Sequence, residues 1–294
     1  MKKIADSIRR VGLVANPEKH QIARLVRRAA KVLQGLGRQV VCDPVTGRLV
    51  GPGIPVSDGL GAIAESCDLI LVFGGDGTML RVARETAGRQ VPILGIKAGT
   101  LGFLTAVKAS ALAASLRLVV DGRFTLEDRA LLEASIRRGD ETTVQTALND
   151  FVLSRGLASR LIELEVSVNG ELLTRYRCDG LIASSPTGST AYSLAAGGAI
   201  VSPDADVLIL TPICPHTLSI RPVVMNLNAT VSVRLVSRRL VATLAADGQQ
   251  QTDLSTGDSV VIRRSTRSVR LLRPEGSSFF STLREKFSWS GGNL

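Results

Sequence analysis

The chain has 294 residues and a formal net charge of +10, with 45% hydrophobic and 21% charged residues. This length and composition are typical of a globular protein with a sizeable core, more often of two domains than of one, and they exclude extended disorder. The basic charge favours anionic partners but does not choose between nucleic acid, nucleotides and phosphate chains. Because only 3% of the residues are aromatic, a base-stacking surface for single-stranded nucleic acid is not expected.

The cysteines and the apolar runs indicate the compartment. Cys42, Cys67, Cys178 and Cys214 show neither paired metal-ligand spacing nor a disulfide framework, so we expect reduced thiols. The first residues lack the apolar region of a signal peptide, and no run reaches the ~18 apolar residues of a membrane helix. We predict a cytoplasmic protein that binds neither a membrane nor nucleic acid.

Residues 1–121 show strands that alternate with helices. Apolar and β-branched runs predict strands at residues 11–15, 39–42, 68–73 and 91–96. Helical spacing of apolar residues predicts helices at residues 18–36, 60–66, 79–87 and 110–120, whereas the Gly/Pro-rich residues 46–59 predict a loop. This alternation predicts a doubly wound α/β domain with a parallel sheet, in which ligands bind beyond the carboxyl ends of the strands.

After residue 121 the pattern changes to strands separated by turns. Such runs predict strands at residues 131–137, 142–148, 161–168, 171–176, 181–183, 207–211, 231–235, 240–245 and 259–262. Residues 138–140 and the pair Asn169 and Gly170 are typical of hairpin turns. We therefore predict a β-rich second domain at residues 122–272. A tail at residues 273–294 follows, and its amphipathic helix, at residues 278–287, is expected to pack back on the first domain.

A glycine-rich turn, GGDGT at residues 74–78, joins the strand at residues 68–73 to the next helix. Its glycines let a ligand come close to the backbone, and the helix N-terminus is suited to phosphate. Asp76 would repel a phosphate, so it is better explained as a magnesium anchor or as a base that accepts a proton from an attacking hydroxyl. The alternative is an ordinary turn in which Asp76 caps the helix.

Further candidate residues lie in the second domain. The stretch at residues 178–198 predicts a strand, a turn of small residues and a helix that begins near Ser189, with hydroxyl and backbone N–H groups for an anion or a sugar. A helix capped by Ser or Thr is the simpler alternative. Asn149 and Asp150 end a predicted strand, and they form either a plain turn or a ligand pair for ribose hydroxyls. Asp247 and Gly248 are interpreted as a hairpin turn.

Five segments follow one another in an order and spacing that resemble the NAD kinase family. They are GGDGT at residues 74–78, Asn-Asp at 149–150, the stretch at 178–198, PICPHTLSIRP at 212–222 and Asp-Gly-Gln at 247–249. The resemblance spans residues 11–287 and implies a Rossmann-like N-terminal domain, a β-rich C-terminal domain and a returning C-terminal helix. It also implies an NAD⁺ kinase that transfers the γ-phosphoryl group of ATP, or a phosphoryl group of polyphosphate, to the 2′-hydroxyl of the adenosine ribose of NAD⁺ to give NADP⁺.

The resemblance implies roles for individual residues. Asp76 falls on the family's proton acceptor, and Gly77 lies beside it at the dinucleotide. Asn149 and Asp150 match the pair that binds the ribose of the substrate and neighbouring groups. Many members have glutamate where this chain has Asp150, which retains the charge on a shorter side chain. Asp179 matches a carboxylate expected near the nicotinamide end.

The resemblance also implies a lining for the dinucleotide and a set of partners. The lining residues are Thr190, Ala191, Tyr192, Ser193, Leu194, Ala195 and Gln249, and basic residues that members often carry fall on Arg81, Arg160 and Arg177. The expected cofactor is Mg²⁺, or another divalent cation, bound with ATP, and no residue of the chain is assigned as a metal ligand. A homodimer or homotetramer with sites shared between subunits is expected.

The motifs of the sequence fit other classes of nucleotide-binding protein less well. The absence of a GxxxxGK[ST] motif excludes a P-loop kinase, and the absence of GxGxxG after a strand disfavours hydride transfer on a standard dinucleotide fingerprint. Lipid and sugar kinases that share the glycine turn are expected to lack the segments at residues 149–150 and 186–192. A non-catalytic NAD sensor gains nothing from Asp76 beside phosphates, so the kinase prediction is preferred.

Overall fold

The structure is a computed structural model that describes residues 8–18, 21–97, 102–156, 160–237 and 241–289. Its residue contacts divide the chain into a first unit, residues 1–128 with 268–294, and a second unit, residues 129–267. We predicted domain boundaries near residues 121 and 272. Residues 122–128 and 268–272 therefore lie in the first unit and not in the β-rich domain.

The first unit contains a mainly parallel sheet. Its strands are β1 (Arg10–Ala15), β2 (Gln39–Cys42), β3 (Leu69–Phe73), β4 (Ile93–Lys97) and β5 (Val107–Lys108). They are parallel in the order β2-β1-β3-β4, with β5 beside β4. Leu271, near the end of a later strand, also pairs in parallel with Ile93. The predicted strands of this region are confirmed to within a few residues.

Helices cover both faces of this sheet. They are α1 (Ile22–Gly35), α2 (Pro44–Val50), α3 (Leu60–Ser66), α4 (Asp76–Glu85) and α5 (Leu112–Val120). On one face, Leu13 and Leu71 belong to the buried cluster that includes α1 and α5. On the other face, a Cβ at Gly12 would overlap Ile63 of α3, and a Cβ at Gly95 would lie 2.8 Å from the sulfur of Met79 in α4. The prediction of a doubly wound domain is therefore confirmed.

The helix α2 corrects the predicted loop at residues 46–59, because its residues 46–50 are helical. The carboxylate of Asp43 accepts the backbone N–H of Thr46 at 3.1 Å, and Pro44 occupies the first helical position. Both are strong helix-start signals. The Gly/Pro content of the following residues obscured them.

The second unit is built from antiparallel strands. They are β6 (Phe124–Arg138), β7 (Glu141–Ala147), β8 (Asp150–Ser154), β9 (Ile162–Val168), β10 (Glu171–Cys178), β11 (Gly180–Ser184), β12 (Val207–Ile213), β13 (Val223–Asn226), β14 (Val231–Leu235), β15 (Ala242–Ala246), β16 (Gln250–Leu254) and β17 (Ser259–Pro274). The first residues of β6 and the last residues of β17 belong to the first unit. One sheet has the order β13-β12-β11-β8-β15-β16, and β10, β9, β14 and β17 follow one another in the other, eleven-stranded sheet. Side chains of both sheets, including Leu153, Leu181 and Leu164, form one buried core, which confirms the β-rich prediction.

The turns and strand ends give a mixed result. The hairpin turns at residues 138–140 and at Asn169–Gly170 are confirmed, with β6 paired to β7 and β9 paired to β10. Asn169 has φ 52° and Gly170 has φ 87°, as such tight turns require. We predicted that Asn149 and Asp150 end a strand. That prediction is wrong, because Asp150 begins β8.

The C-terminal helix α7 (Phe279–Phe287) packs against the first unit, to which it belongs. Its N-cap Ser278 forms a capping box with Ser281. The ring centroid of Phe103 lies 6.3 Å from that of Phe279 and 6.2 Å from that of Phe287. The returning helix expected from the sequence is therefore confirmed. None of the helices in the described ranges is both long enough and apolar enough to cross a bilayer.

Candidate functional site

The glycine turn and Lys97 meet at the carboxyl edge of the parallel sheet. β3 and β4 lie side by side, and the N–H of Gly74 donates to the carbonyl of Ile96 at 3.0 Å. A Cβ at Gly75 would lie 3.5 Å from Nζ of Lys97. An ammonium group therefore lies against the turn, where it can attract an anion. Lys97 was not among the predicted residues, although its position at the end of a neighbouring parallel strand was a usable signal.

Asp76 is half-buried and held from outside its own helix. Its Oδ2 accepts the N–H of Phe103 at 2.9 Å, and its Oδ1 accepts the N–H of Leu104 at 3.3 Å. A Cβ at Gly102 would overlap this carboxylate. Each carboxylate oxygen accepts more than one hydrogen bond, so one such bond per oxygen leaves room for a substrate proton.

The helix-cap alternative for Asp76 is wrong. The N-cap of α4 is Gly75, with no side-chain cap, and Asp76 is the first residue of the helix itself. Its carboxylate binds the N–H groups of Phe103 and Leu104 and does not serve as the cap of its helix. Gly77 follows it as an exposed residue of the same first turn.

In the second unit, two predicted segments come together at one end of the β8–β11 pair. The carbonyl of Asn149 accepts the N–H of Ser185 at 2.8 Å, and the Ser185 hydroxyl donates to the carbonyl of Leu148 at 2.5 Å. A Cβ at Gly188 would overlap the carbonyl oxygen of Asn149. This contact leaves space only for glycine at position 188.

Asp247 ties a third segment to the same place. It occupies the confirmed β15–β16 hairpin turn with φ 51°, and its side chain is buried. Its Oδ2 accepts the N–H of Leu148 at 3.0 Å. Its Oδ1 accepts the N–H of Asn149 at 2.7 Å and that of Asp150 at 3.3 Å. We interpreted Asp247 from the sequence only as a turn residue, and no local pattern indicates these distant contacts.

Asp150 is buried beside a second carboxylate. Asp150 is only 4% exposed. Burial, and in second place the negative charge of Asp247, raise the pKa of Asp150 from 3.8 to about 7. A mixture of neutral and ionised Asp150 is therefore present near neutral pH.

The lining segment differs from its prediction. Residues Thr187–Thr190 form a 3₁₀ turn, and the helix α6 (Tyr192–Ala195) is a single turn, so the predicted helix that begins near Ser189 is wrong. The Ser193 hydroxyl is buried and lies 2.9 Å from that of Thr211. Tyr192 is 47% exposed, and Thr190, Ala191 and Leu194 are half-buried. Tyr192 therefore presents the largest accessible surface of this segment.

Gln249 and Asp179 lie at opposite ends of the six-stranded sheet. Gln249 is exposed in the same hairpin turn as Asp247, near Asn149. The carbonyl of Asp179 accepts the N–H of Arg155, just beyond the far end of β8. At ~3.3 Å per residue, this end of β8 is roughly 15–20 Å from Asn149. Within one chain, Asp179 and Asn149 are therefore not brought together.

The three predicted arginines are spread over both units. Arg81 lies on α4, with NH1 3.5 Å from Oε1 of Glu85. Arg177 is exposed near the end of β10, two residues before Asp179, whose carboxylate is paired with Nε of Arg155 at 2.6 Å. Arg160 is exposed. Arg177 therefore belongs with Asp179 and not with Asn149.

Within the described ranges, no cluster of three or more His, Cys, Asp or Glu side chains is arranged to hold a metal ion. The glycine turn carries one carboxylate, that of Asp76, which could supply only one of the ligands of Mg²⁺. Magnesium bound with a nucleotide takes most of its ligands from phosphate and water.

The family comparisons cover both units. Residues 11–124 match the ATP-NAD kinase N-terminal domain, and residues 148–274 match the ATP-NAD kinase C-terminal domain. Together with the glycine turn and the absence of a P-loop, these matches define an ATP-dependent kinase of two domains.

Relatives and solved structures agree with these matches. The chain is 41% identical to the NAD kinase of Syntrophotalea carbinolica, over 96% of this chain and 99% of that one. It is 40% identical to the NAD kinase of Desulforamulus reducens, over 96% of this chain and 98% of that one. The yeast NADH kinase complexed with NADH superposes with a TM-score of 0.87 and 27% identity, over 98% of this chain and 89% of that one. An Archaeoglobus fulgidus NAD kinase in complex with ATP superposes with a TM-score of 0.73 and 26% identity, over 94% of this chain and 99% of that one.

This chain belongs to the NAD kinase family, and its activity is the phosphorylation of NAD with ATP. The lipid kinase, sugar kinase and sensor alternatives are therefore not supported.

Gly102→Ala tests the position of Asp76 without changing its chemistry. The added methyl group overlaps the carboxylate and displaces it. If Asp76 takes part in phosphoryl transfer, turnover should fall by roughly 10²-fold, because small displacements of reacting groups have effects of that size. Turnover is measured as NADP⁺ formation. The control is Gly35→Ala, which meets no atom within 4 Å. Turnover of Gly102→Ala within twofold of wild type would contradict the geometry.

Asp150 makes the free energy of unfolding depend on pH. Because its folded pKa, about 7, lies above its ordinary 3.8, its contribution is fully present below about pH 4 and is lost as the pH rises through 7. We expect the unfolding free energy of Asp150→Asn, relative to wild type, to rise by a few kcal/mol across that range. Chemical denaturation at a series of pH values measures this. Asp140→Asn, in an exposed turn, controls for the lost charge, and a pH-independent difference for Asp150→Asn would refute the account.

Proposed function

We propose that Asp76 accepts the proton of the adenosine ribose 2′-hydroxyl of NAD⁺ while that oxygen attacks the γ-phosphoryl group of ATP. The observation that carries this proposal is the fixed carboxylate of Asp76 beside a glycine turn at the carboxyl edge of a parallel sheet. A ribose hydroxyl is a weak nucleophile, so a positioned proton acceptor raises the rate. Gly77 is proposed to contact the dinucleotide next to this reaction centre.

Lys97 is proposed to contact the phosphate chain. Phosphoryl transfer depends on alignment and charge neutralisation more than on covalent chemistry. The ammonium group near Gly75 and the N-terminus of α4 both favour negative charge at the turn. Arg81, on the same helix, is a further candidate for phosphate binding.

The ligand set for the dinucleotide is proposed from the end of the six-stranded sheet that carries Asn149. The amide of Asn149 and the carboxyl group of Asp150 are proposed to bind ribose hydroxyls. Residues 190–195 and Gln249 are proposed to line the same space. Their support is the set of contacts that joins residues 148–150 to Ser185 and Asp247.

Mg²⁺, or another divalent cation, is proposed to enter with ATP. Asp76 is the acidic group of the glycine turn and would serve at most as one ligand. The ion would neutralise phosphate charge. Inorganic polyphosphate is proposed as a second phosphoryl donor, because Lys97 and the glycine turn offer groups that bind phosphate and none that requires adenine.

A homodimer or homotetramer with shared sites is proposed. Its support is the separation of Asp179 from Asn149 along β8, since one chain alone does not bring both to a single nucleotide. Asp179, Arg177 and Arg160 would then serve the site of a neighbouring subunit. A cytoplasmic location is also proposed, on the ground that all four cysteines are free thiols.

Asp76→Asn tests the proton acceptor. We expect turnover to fall by roughly 10²-fold or more, with the Kd for NAD⁺ within about threefold of wild type, because the amide keeps the shape and one of the two backbone contacts but accepts no proton. The assay follows NADP⁺ formation from NAD⁺ with Mg-ATP or Mg-polyphosphate, and NADPH formation from NADH. The control is Asp68→Asn, since Asp68 also accepts two backbone N–H groups but lies at the opposite end of β3. Turnover near wild type in folded Asp76→Asn would remove Asp76 from this role.

Lys97→Met tests the phosphate contact. Loss of one charge-assisted contact is expected to raise the KM for ATP about tenfold or more while the KM for NAD⁺ changes less than about twofold. Lys97→Arg should restore part of the ATP affinity. Lys108→Met is the control, because Lys108 lies on β5 and pairs with Glu285. An unchanged KM for ATP in Lys97→Met would refute the contact.

A further inference from the structure

A single buried carboxylate organises the segment that carries Asn149. The side chain of Asp247 accepts the consecutive N–H groups of residues 148–150 at 3.0, 2.7 and 3.3 Å. In return, the N–H of Asp247 donates to the carbonyl of Asp150 at 3.0 Å. These contacts fix the path of residues 148–150 closely.

The opposite side of the same backbone is also held. The carbonyl of Asn149 accepts the N–H of Ser185, and the carbonyl of Leu148 accepts the Ser185 hydroxyl. None of these bonds uses the side-chain amide of Asn149, which stays half-buried at the surface of the site. The arrangement holds the backbone and leaves the side chain for a ligand.

We infer that Asp247 is a positioning residue for the dinucleotide, which fixes residues 148–150 so that the Asn149 amide and the Asp150 carboxyl group face the ribose in a binding geometry. This inference rests on the proposed role of Asn149 and Asp150. Asp247 itself touches no substrate in this account; it acts through the backbone of its neighbours.

The chemistry of the contacts explains why aspartate occupies this position. Three converging N–H groups need an acceptor-only partner, and an ionised carboxylate has two oxygens that each accept more than one bond. Asparagine has nearly the same shape and tolerates the φ of 51°, but it would direct an NH₂ group at a backbone N–H. Asp247→Asn is therefore a change that preserves the turn and removes part of the acceptor set.

A double-mutant cycle tests the inference on the full chain. The variants are Asn149→Ala, Asp247→Asn and the double variant, and the Kd for NAD⁺ is measured by calorimetry beside the free energy of unfolding. We expect each single variant to weaken NAD⁺ binding by about tenfold or more. In the Asn149→Ala background Asp247→Asn should cost clearly less than it does alone, about threefold or less, because only its effect through Asp150 remains. The Kd for ATP should stay within about twofold in all variants.

Asp258→Asn is the matched control. Asp258 is another buried aspartate of the second unit and accepts the N–H of Ser255 at 2.9 Å and Nε of Arg138 at 3.2 Å. Its loss is expected to lower stability but to leave the Kd for NAD⁺ within about twofold. An equal loss of NAD⁺ binding in Asp258→Asn would show that general destabilisation, not positioning, weakens binding.

The outcomes separate the inference from the proposed function. If Asn149→Ala leaves the Kd for NAD⁺ unchanged, the proposed ligand pair is wrong. If Asn149→Ala weakens binding but Asp247→Asn does not, or if the two effects simply add, the positioning role is overturned. If Asp247→Asn does not fold, hydrogen exchange in the wild-type protein decides: the amides of residues 148–150 should exchange slowly, and exchange at the rate of an exposed loop would overturn the inference.

Discussion

The two hydrogen bonds from the backbone of Phe103 and Leu104 to Asp76 connect the glycine turn to the rest of the first unit. The ring of Phe103 packs against α7. The backbone carbonyl of Phe103 accepts a hydrogen bond from NH2 of Arg273 at 3.1 Å. Arg273 is only 2% exposed and also pairs with Glu127. The C-terminal segment therefore supports the loop that orients the carboxylate of Asp76.

In the second unit, side chains and not a helix hold the backbone near the proposed ligand groups. Its serine hydroxyls look from the sequence like candidate ligands, but those of Ser185 and Ser193 are used inside the protein. Ser185 and Asp247 together fix the backbone around Asn149, whereas Ser193 pairs with Thr211. The groups proposed to bind the ligand, the side chains of Asn149 and Asp150, are positioned by these buried polar contacts.

The sequence predicted the parallel sheet, the β-rich domain and the glycine turn, because each depends on local periodicity or on a glycine requirement. It did not single out Lys97, which lies against the glycine turn, or Asp247, which holds residues 148–150. The position of Lys97 depends on which strand lies next to β3, and that of Asp247 on contacts with residues 97 to 99 positions away. The helix α2 was missed for a different reason: its start signal, Asp43 and Pro44, is local but was outweighed by nearby glycines and prolines.

The most direct measurement is a crystal structure of the protein with NAD⁺ bound. If Asp76 accepts the proton, one of its carboxylate oxygens should lie within about 3.2 Å of the 2′ oxygen of the adenosine ribose, or reach it through one water. Its bonds to Phe103 and Leu104 should be retained. A carboxylate that stays far from that oxygen in every ligand state would contradict the account and leave only a nucleotide-binding turn.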